Sequence, residues 1–339
     1  MTGRRGDAGT RREKATEGKS PRHRVSLSPR LLILLFALVA ALLIAALLGS
    51  EKLSFFELTA EQSAILFDIR LPRILLGATV GASLALAGAS LQSLLRNPLA
   101  EPYLLGVSNG AALGTMLAFI FFAQNEYARP LMAFAGASLA TFTVYQMAKS
   151  RAGMNVERLI LSGVIVTTFF SSILVLLTSL LDATKLRSFT FWLLGDLSQA
   201  TKNGFYLTLM VAVIGTVVLS SQARALNLMM IGERDAFDFG VEVGKTRLIV
   251  FATASALVGI SVAASGSVGY VGLIVPHLVR LAIGSDNRLV VPFSAIAGAI
   301  FVVAADTIAR VAIAPRELPV GAITALVGAP LFIYLLKKS

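Results

Sequence analysis

The sequence predicts an all-α integral membrane protein built from about ten transmembrane helices. Three observations carry that reading. Of 339 residues, 56% are hydrophobic and only 14% charged, with a mean hydropathy of +0.78. About a quarter of a soluble domain is charged, so lipid rather than water must cover much of this surface. Apolar runs long enough to cross a bilayer follow one another almost without pause, and Leu31–Leu48 is the cleanest. The runs are rich in Leu, Ala, Val and Gly without two-residue alternation, which makes the spans helices rather than barrel strands.

Residues 1–30 read as a disordered, basic cytoplasmic tail. Arg4, Arg5, Arg11, Arg12, Lys14, Lys19, Arg22, Arg24 and Arg30 all precede the first apolar run. That distribution accounts for much of the net charge of +11 without nucleic acid, because the positive-inside rule and anionic lipid hold such a segment at the inner face. Leu31–Leu48 is long for the apolar core of a signal peptide, and no small-x-small cleavage pattern follows it. Residues 31–339 form one polytopic domain. Its further spans are Ile74–Leu95, Leu104–Phe122, Leu131–Ala148, Leu159–Leu181, Phe205–Ser221, Leu248–Ala264, Val268–Ile283, Val290–Ile308 and Ile323–Leu336. With the tail inside, an even number of spans places both termini in the cytoplasm of a bacterial inner membrane. Lys149, Arg151 and Arg158 then lie inside, as do Arg224, Arg234, Lys245 and Arg247. Arg70–Arg73, Arg129, Lys185–Arg187 and Arg310–Arg316 fall outside, against the usual bias.

Several motifs bear on function. Zero cysteines exclude thiolate metal sites and a cysteine nucleophile, and His23 and His277 are too few for a histidine metal centre. Gly106-Val-Ser108-Asn-Gly110 matches a nucleophile elbow, yet it opens a membrane helix with Gly106, Gly110 and Gly114 on one face. That spacing belongs to close helix packing. Gly240-Val-Glu-Val-Gly244-Lys245-Thr246 is one residue short of a phosphate loop, so nucleotide must be handled elsewhere. The loop Ala223–Arg247 sets Phe237 and Phe239 among charges between flanking glycines. It reads as a short amphipathic docking helix. Asp306 and Arg310 are spaced to pair along one helical face. Gly81-Ala-Ser83 with Gly88 is echoed by Gly259-Ile-Ser261 with Gly266 in spans of opposite direction, as in an inverted repeat.

Longer stretches carry a resemblance. They are Arg70-Leu-Pro-Arg73, Gln92 with Asn97-Pro-Leu-Ala-Glu-Pro102, Leu105-Gly-Val-Ser-Asn-Gly110, and Phe191-Trp-Leu-Leu-Gly195. Gly269-Tyr-Val-Gly-Leu-Ile-Val-Pro-His-Leu-Val-Arg280, Glu317-Leu-Pro-Val-Gly321 and Gly328-Ala-Pro-Leu-Phe332 complete the set. In unbroken order from about Leu31 onward, they resemble the FecCD-type permeases of ABC importers for iron chelates, heme and vitamin B12. Asp196 stands where that pattern has serine or glycine.

The resemblance implies a BtuC-like permease fold with an internal inverted repeat, paired as a homodimer around one translocation path in the lipid bilayer. It implies two cytoplasmic ABC ATPase subunits below, holding the ATP and Mg, and a periplasmic substrate-binding protein above. This chain itself carries no cofactor. Residues 232–244 would be the ATPase-coupling segment, centred on Gly232, Glu233, Arg234, Asp235, Ala236, Phe237, Asp238, Phe239 and Gly240. Arg70, Arg73 and Arg310 match the outer arginines that receive acidic side chains of the binding protein. Ser162, Thr167, Thr168, Ser171 and Ser172 are candidates for the path. The implied function is import of a metal chelate, a ferric siderophore, heme or cobalamin, powered by a separate ATPase. An ion-gradient-driven secondary transporter is the alternative, and it would require functional carboxylates within spans, for which Asp306 is the one good candidate.

Overall fold

The computed structural model describes residues 29–49, 59–125, 127–150 and 153–338. The basic tail up to residue 28 lies outside them. Helix α1 (Pro29–Leu47) is followed by α2 (Ala60–Leu94), α3 (Val107–Phe121) and α4 (Ala128–Ala148). A two-residue antiparallel ladder, β1 (Lys149–Ser150) with β2 (Gly153–Met154), leads into α5 (Val156–Thr178). Next come α6 (Ala183–Leu193), α7 (Lys202–Ser221), α8 (Ala223–Ile231) and α9 (Glu233–Asp238). The chain closes with α10 (Val243–Ser265), α11 (Val271–Ile283), α12 (Asn287–Val311) and α13 (Val320–Lys338). Seven of these helices are long and apolar enough to span, and α3, α11 and α13 are shorter apolar helices, so all ten expected spans are present as helices. Helices α6 and α8 lie in stretches expected as connections, whereas α9 is the short helix expected there. Asp182 caps α6 by accepting the Lys185 N–H at 2.8 Å, and α6 packs through Phe189 onto Phe119 rather than crossing.

Helix α2 is the axle. Of its most apolar window 83% is buried, against 6% for α1. It starts on a capping box, in which Thr59 and Gln62 exchange backbone-to-side-chain bonds of 3.3 Å. Pro72 has no N–H to close the ordinary turn, and the preceding residues Ile65–Arg70 widen into a π turn, with the Leu71 N–H reaching the Leu66 carbonyl. A helix enclosed on all sides in a membrane gains nothing from hydrophobic segregation, so close backbone contact must hold it. Glycine supplies that contact. Gly81 meets the Gly298 carbonyl of α12, and Gly88 meets Gly272 of α11. Gly110 and Gly114 of α3 cross α4 at Gly136 and Met132 in the same way.

Two spans are broken inside the bundle. After α2 the chain makes a 3-10 turn at Pro102–Leu105, and Gly106, at φ 75°, redirects it into α3. Between α10 and α11 it turns at Gly266 and at Tyr270, a non-glycine residue at φ 67°. The two breaks satisfy each other's polar groups. The Tyr103 hydroxyl donates to the Val268 carbonyl and accepts the Val268 N–H, both at 3.0 Å. The Tyr270 N–H donates to Glu101 at 3.0 Å, and Ser108 bonds Ser267 at 3.2 Å. Irregular backbone at membrane depth is tolerated where protein groups meet it in this way.

Gly88→Val is expected to destabilise the fold by about 1–3 kcal/mol through overpacking against Gly272. Gly244→Ala, whose new methyl meets nothing within 4 Å, is expected to be neutral or slightly stabilising. Thermal unfolding of the two variants in one detergent checks the contrast.

Candidate functional site

The chemistry-bearing groups gather at the two ends of α12. At its start, α8, α9 and α10 fold across the end of the bundle. Helix α9 is held by Ala236, which is fully buried, and it ends where Gly240 adopts φ 80°. There the Gly240 N–H donates to the Phe237 carbonyl and the Val241 N–H to that of Ala236, each at 2.9 Å, which closes a Schellman cap. With Ala236 turned inward, Phe237 and Phe239 stand 71% and 72% exposed. Arg234, Asp235 and Asp238 surround them, and Glu233 turns back toward the bundle. Gly232 precedes the helix in extended conformation. The expected amphipathic helix is therefore present, between Gly232 and Gly240. Gly244 and Lys245 lie inside the first turn of α10, so the near-match to a phosphate loop makes no loop.

A chain of amides fixes this end. Ser93 of α2 donates to Asn287 at 2.7 Å, Asn287 donates to Asn227 of α8 at 2.9 Å, and Asn227 donates to Asp286 at 2.6 Å. Asp286 lies in the turn between α11 and α12. Partial burial pushes its carboxyl up, but bonds from the Arg288 N–H and Asn227 outweigh this and hold it below the ordinary carboxylate range.

At the other end of α12, the three arginines expected to face a docking protein converge but point inward. Arg70, Arg73 and Arg310 are 6%, 8% and 4% exposed. Arg73 donates to Asp306 at 2.9 and 3.0 Å and to Glu317 at 2.6 Å, and Arg310 donates to the second oxygen of Asp306 at 3.0 Å. The remaining donors cap α1: Arg310 reaches the Ala45 and Leu48 carbonyls at 3.1 Å, and Arg70 reaches Ala46 at 2.9 Å. Within this chain all three are held by its own groups. Asp306 and the unpaired C-terminal carbonyls of α1 claim them, which satisfies both the cations and the helix end. The pairing of Asp306 with Arg310 four residues on was legible in the sequence. The third member, Arg73, lies 233 residues away and was not.

The path candidates on α5 divide between two faces. Ser162 is buried, and Thr167 and Ser171 face the bundle, where the Asn109 amide donates to the Thr167 carbonyl at 3.1 Å and to Ser171 at 2.7 Å. Thr168 and Ser172 lie on the exposed face, each hydroxyl bonded back to the carbonyl four residues before. Residues 162, 167 and 171 thus turn toward the bundle while 168 and 172 face out. Ser108 spends its hydroxyl on Ser267, and His277 is half-buried on α11. Asp196 accepts the Ser198 N–H at 2.7 Å in a turn that serine would also support.

Comparison with known proteins agrees with this architecture. The family model described as the FecCD transport family matches residues 32–338. The cobalamin import system permease protein BtuC of Halobacterium salinarum is 44% identical over 83% of this chain and 76% of its own. The hemin transport system permease protein HmuU of Yersinia pestis is 38% identical over 91% of this chain and 96% of its own. A solved chain assigned to the metal-chelate type of ABC transporter, in an inward-facing conformation, superposes with a TM-score of 0.84 at 34% identity. That match covers 92% of this chain and all of the other.

Asp306→Asn, which strips the shared carboxylate from two buried arginines, is expected to cost about 3–5 kcal/mol. Glu317→Gln, at a carboxylate 37% exposed, is expected to cost about 1 kcal/mol or less. Denaturation midpoints in detergent distinguish the two.

Proposed function

The chain belongs to the FecCD transport family and is a transport permease subunit, not an enzyme. From that premise we propose that it is the membrane-spanning half of an ATP-driven importer. A homodimer of this chain would carry a metal chelate of the heme, cobalamin or ferric siderophore class from periplasm to cytoplasm across the inner membrane. The observation that carries the reading is α9: two phenylalanines held out from a capped helix among charged neighbours, at the end of the bundle where Lys149, Lys245 and Arg247 collect. Apolar anchors within a polar rim are what a partner's cleft receives. Residues 232–244 seat in each ATPase, which binds the ATP and Mg, and closure of the ATPase pair moves the helices above.

The binding protein docks at the opposite end. Arg73 already holds two carboxylates there, of which Glu317 is the more exposed, so an acidic side chain from the docking lobe takes Glu317's place on the same guanidinium. Charge-assisted exchange of this kind favours encounter and register over tight binding. The path runs between the two copies, along the exposed face of α5 with Thr168 and Ser172 among Leu161, Val164, Ile165 and Phe169. Those contacts are dispersed and weak, as release of a bulky cargo requires.

The test is co-purification of this chain with ATPase and binding protein from its own operon, followed by uptake assays in proteoliposomes with cyanocobalamin, hemin and a ferric siderophore. An importer retains the ATPase and takes up one of these with ATP. A chain that purifies alone and moves solute on an ion gradient overturns the proposal. Replacing Phe237 and Phe239 together by Asp is expected to reduce ATPase retention at least about tenfold, roughly the loss of one interface hot spot. Full retention in that variant removes α9 from the contact.

A further inference from the structure

One residue breaks the local rules of the fold. Helix α2 ends in a Schellman cap, with the Asn97 N–H donating to the Gln92 carbonyl at 3.0 Å and the Arg96 N–H to that of Ser93 at 3.3 Å. The left-handed position of such a cap belongs to glycine or asparagine, because a β-carbon there crowds the backbone. Gly240 fills it at the end of α9. At the end of α2 it is Arg96, at φ 49°. An observed strain of this kind licenses a search for what the side chain does.

The Arg96 side chain reaches Glu233, the first residue of α9, at 3.4 Å. The same Glu233 oxygen, Oε1, also accepts from Arg247 in the second turn of α10. Arg247 is 8% exposed, and its other terminal nitrogen donates at 2.6 Å to the Met154 carbonyl in β2. Among the described residues Glu233 is the one carboxylate that Arg247 pairs with. A single carboxylate thus joins α9 to the end of the axial helix α2, to the start of α10 and, through Arg247, to the hairpin between α4 and α5. Stability alone does not account for Arg96. The pair is half exposed on both sides, where ion pairs contribute little, and glycine would relieve the backbone.

The geometry points to Arg96–Glu233–Arg247 as the pin through which movement of α9 is transmitted to the spans, with Arg96 a positioning residue tolerated in a glycine position for that purpose. This rests on α9 being the ATPase contact. An ATPase that shifts α9 pulls α2 through Arg96, and pulls α10 and the β1–β2 hairpin through Arg247. Without the pin, α9 remains seated in the ATPase but drives nothing.

The experiment uses the full complex with its ATPase in proteoliposomes. The chain has no cysteine, so Tyr127→Cys, at a side chain 71% exposed near the opposite end, places one nitroxide label per copy. The ATP-dependent change in distance between the two labels reads transmission directly. Arg96→Gly is expected to keep the ATPase, the rate of ATP hydrolysis and thermal stability, and to lose the distance change. Arg96→Lys is expected to retain the change. The pin is overturned if Arg96→Gly still shows the full change. It is equally overturned if that variant releases the ATPase, which makes Arg96 a contact residue, or melts earlier, which makes it structural. An unmodified chain that captures no ATPase fails the underlying reading instead.

Discussion

Everything in this bundle depends on how closely other backbones can approach α2. Water gives a soluble core its cohesion, but a helix surrounded by helices within lipid must be held by contact itself. The sequence meets that demand by removing side chains where contact is closest, at Gly81 and Gly298 and at Gly88 and Gly272. The short helix α11 can therefore cross near the C-terminal end of α2, which places Gln92 against the Gly272 and Leu273 carbonyls. Arg280, further along α11, then reaches the Ala89 carbonyl at 3.1 Å. Gln92 and Arg280 thus find partners on the neighbouring helix, whereas the Ser90 hydroxyl bonds back to the Leu86 carbonyl of its own.

The two broken spans solve a related problem. Ending a helix inside the membrane exposes amide groups that lipid cannot satisfy. The turn before α3 and the turn before α11 are therefore placed against each other, and Glu101, Tyr103 and Ser108 on one side serve Tyr270, Val268 and Ser267 on the other. Both breaks end on a left-handed residue that starts a short helix. This correspondence, more than the repeated Gly-x-Ser spacing, relates the two halves structurally.

How much of this was legible follows from which features are local. Spans of Leu, Ala and Val announce themselves by length, and the ten expected segments are all helices. The short helix around Phe237 was legible because its anchors and flanking glycines lie within a dozen residues. Helix α6 was missed because it is amphipathic rather than apolar and joins the bundle through Phe189, a contact no window of sequence contains. Arg70, Arg73 and Arg310 stand out by their motif, but not by their surroundings. Composition marks a cation and cannot tell whether an aspartate more than two hundred residues on faces it. The α5 hydroxyls were grouped by type, whereas helical phase sends Ser162, Thr167 and Ser171 one way and Thr168 and Ser172 the other.

The cluster around Asp306 also constrains how the protein is made. The most apolar window of α1 has a mean hydropathy of 2.8 and only 6% of it is buried, so it can enter the bilayer as soon as it leaves the ribosome. Helix α2 cannot settle on the same schedule. It brings Arg70 and Arg73 to the membrane, and the carboxylate that neutralises Arg73 is synthesised 233 residues later on α12. Until then α2 must be sheltered by the insertion machinery or held at the interface, and every chain cut short before Asp306 carries an arginine without its partner. Completion of α12 is thus the step that commits the bundle, and a quality-control system that recognises charge left in lipid has a ready mark of unfinished copies.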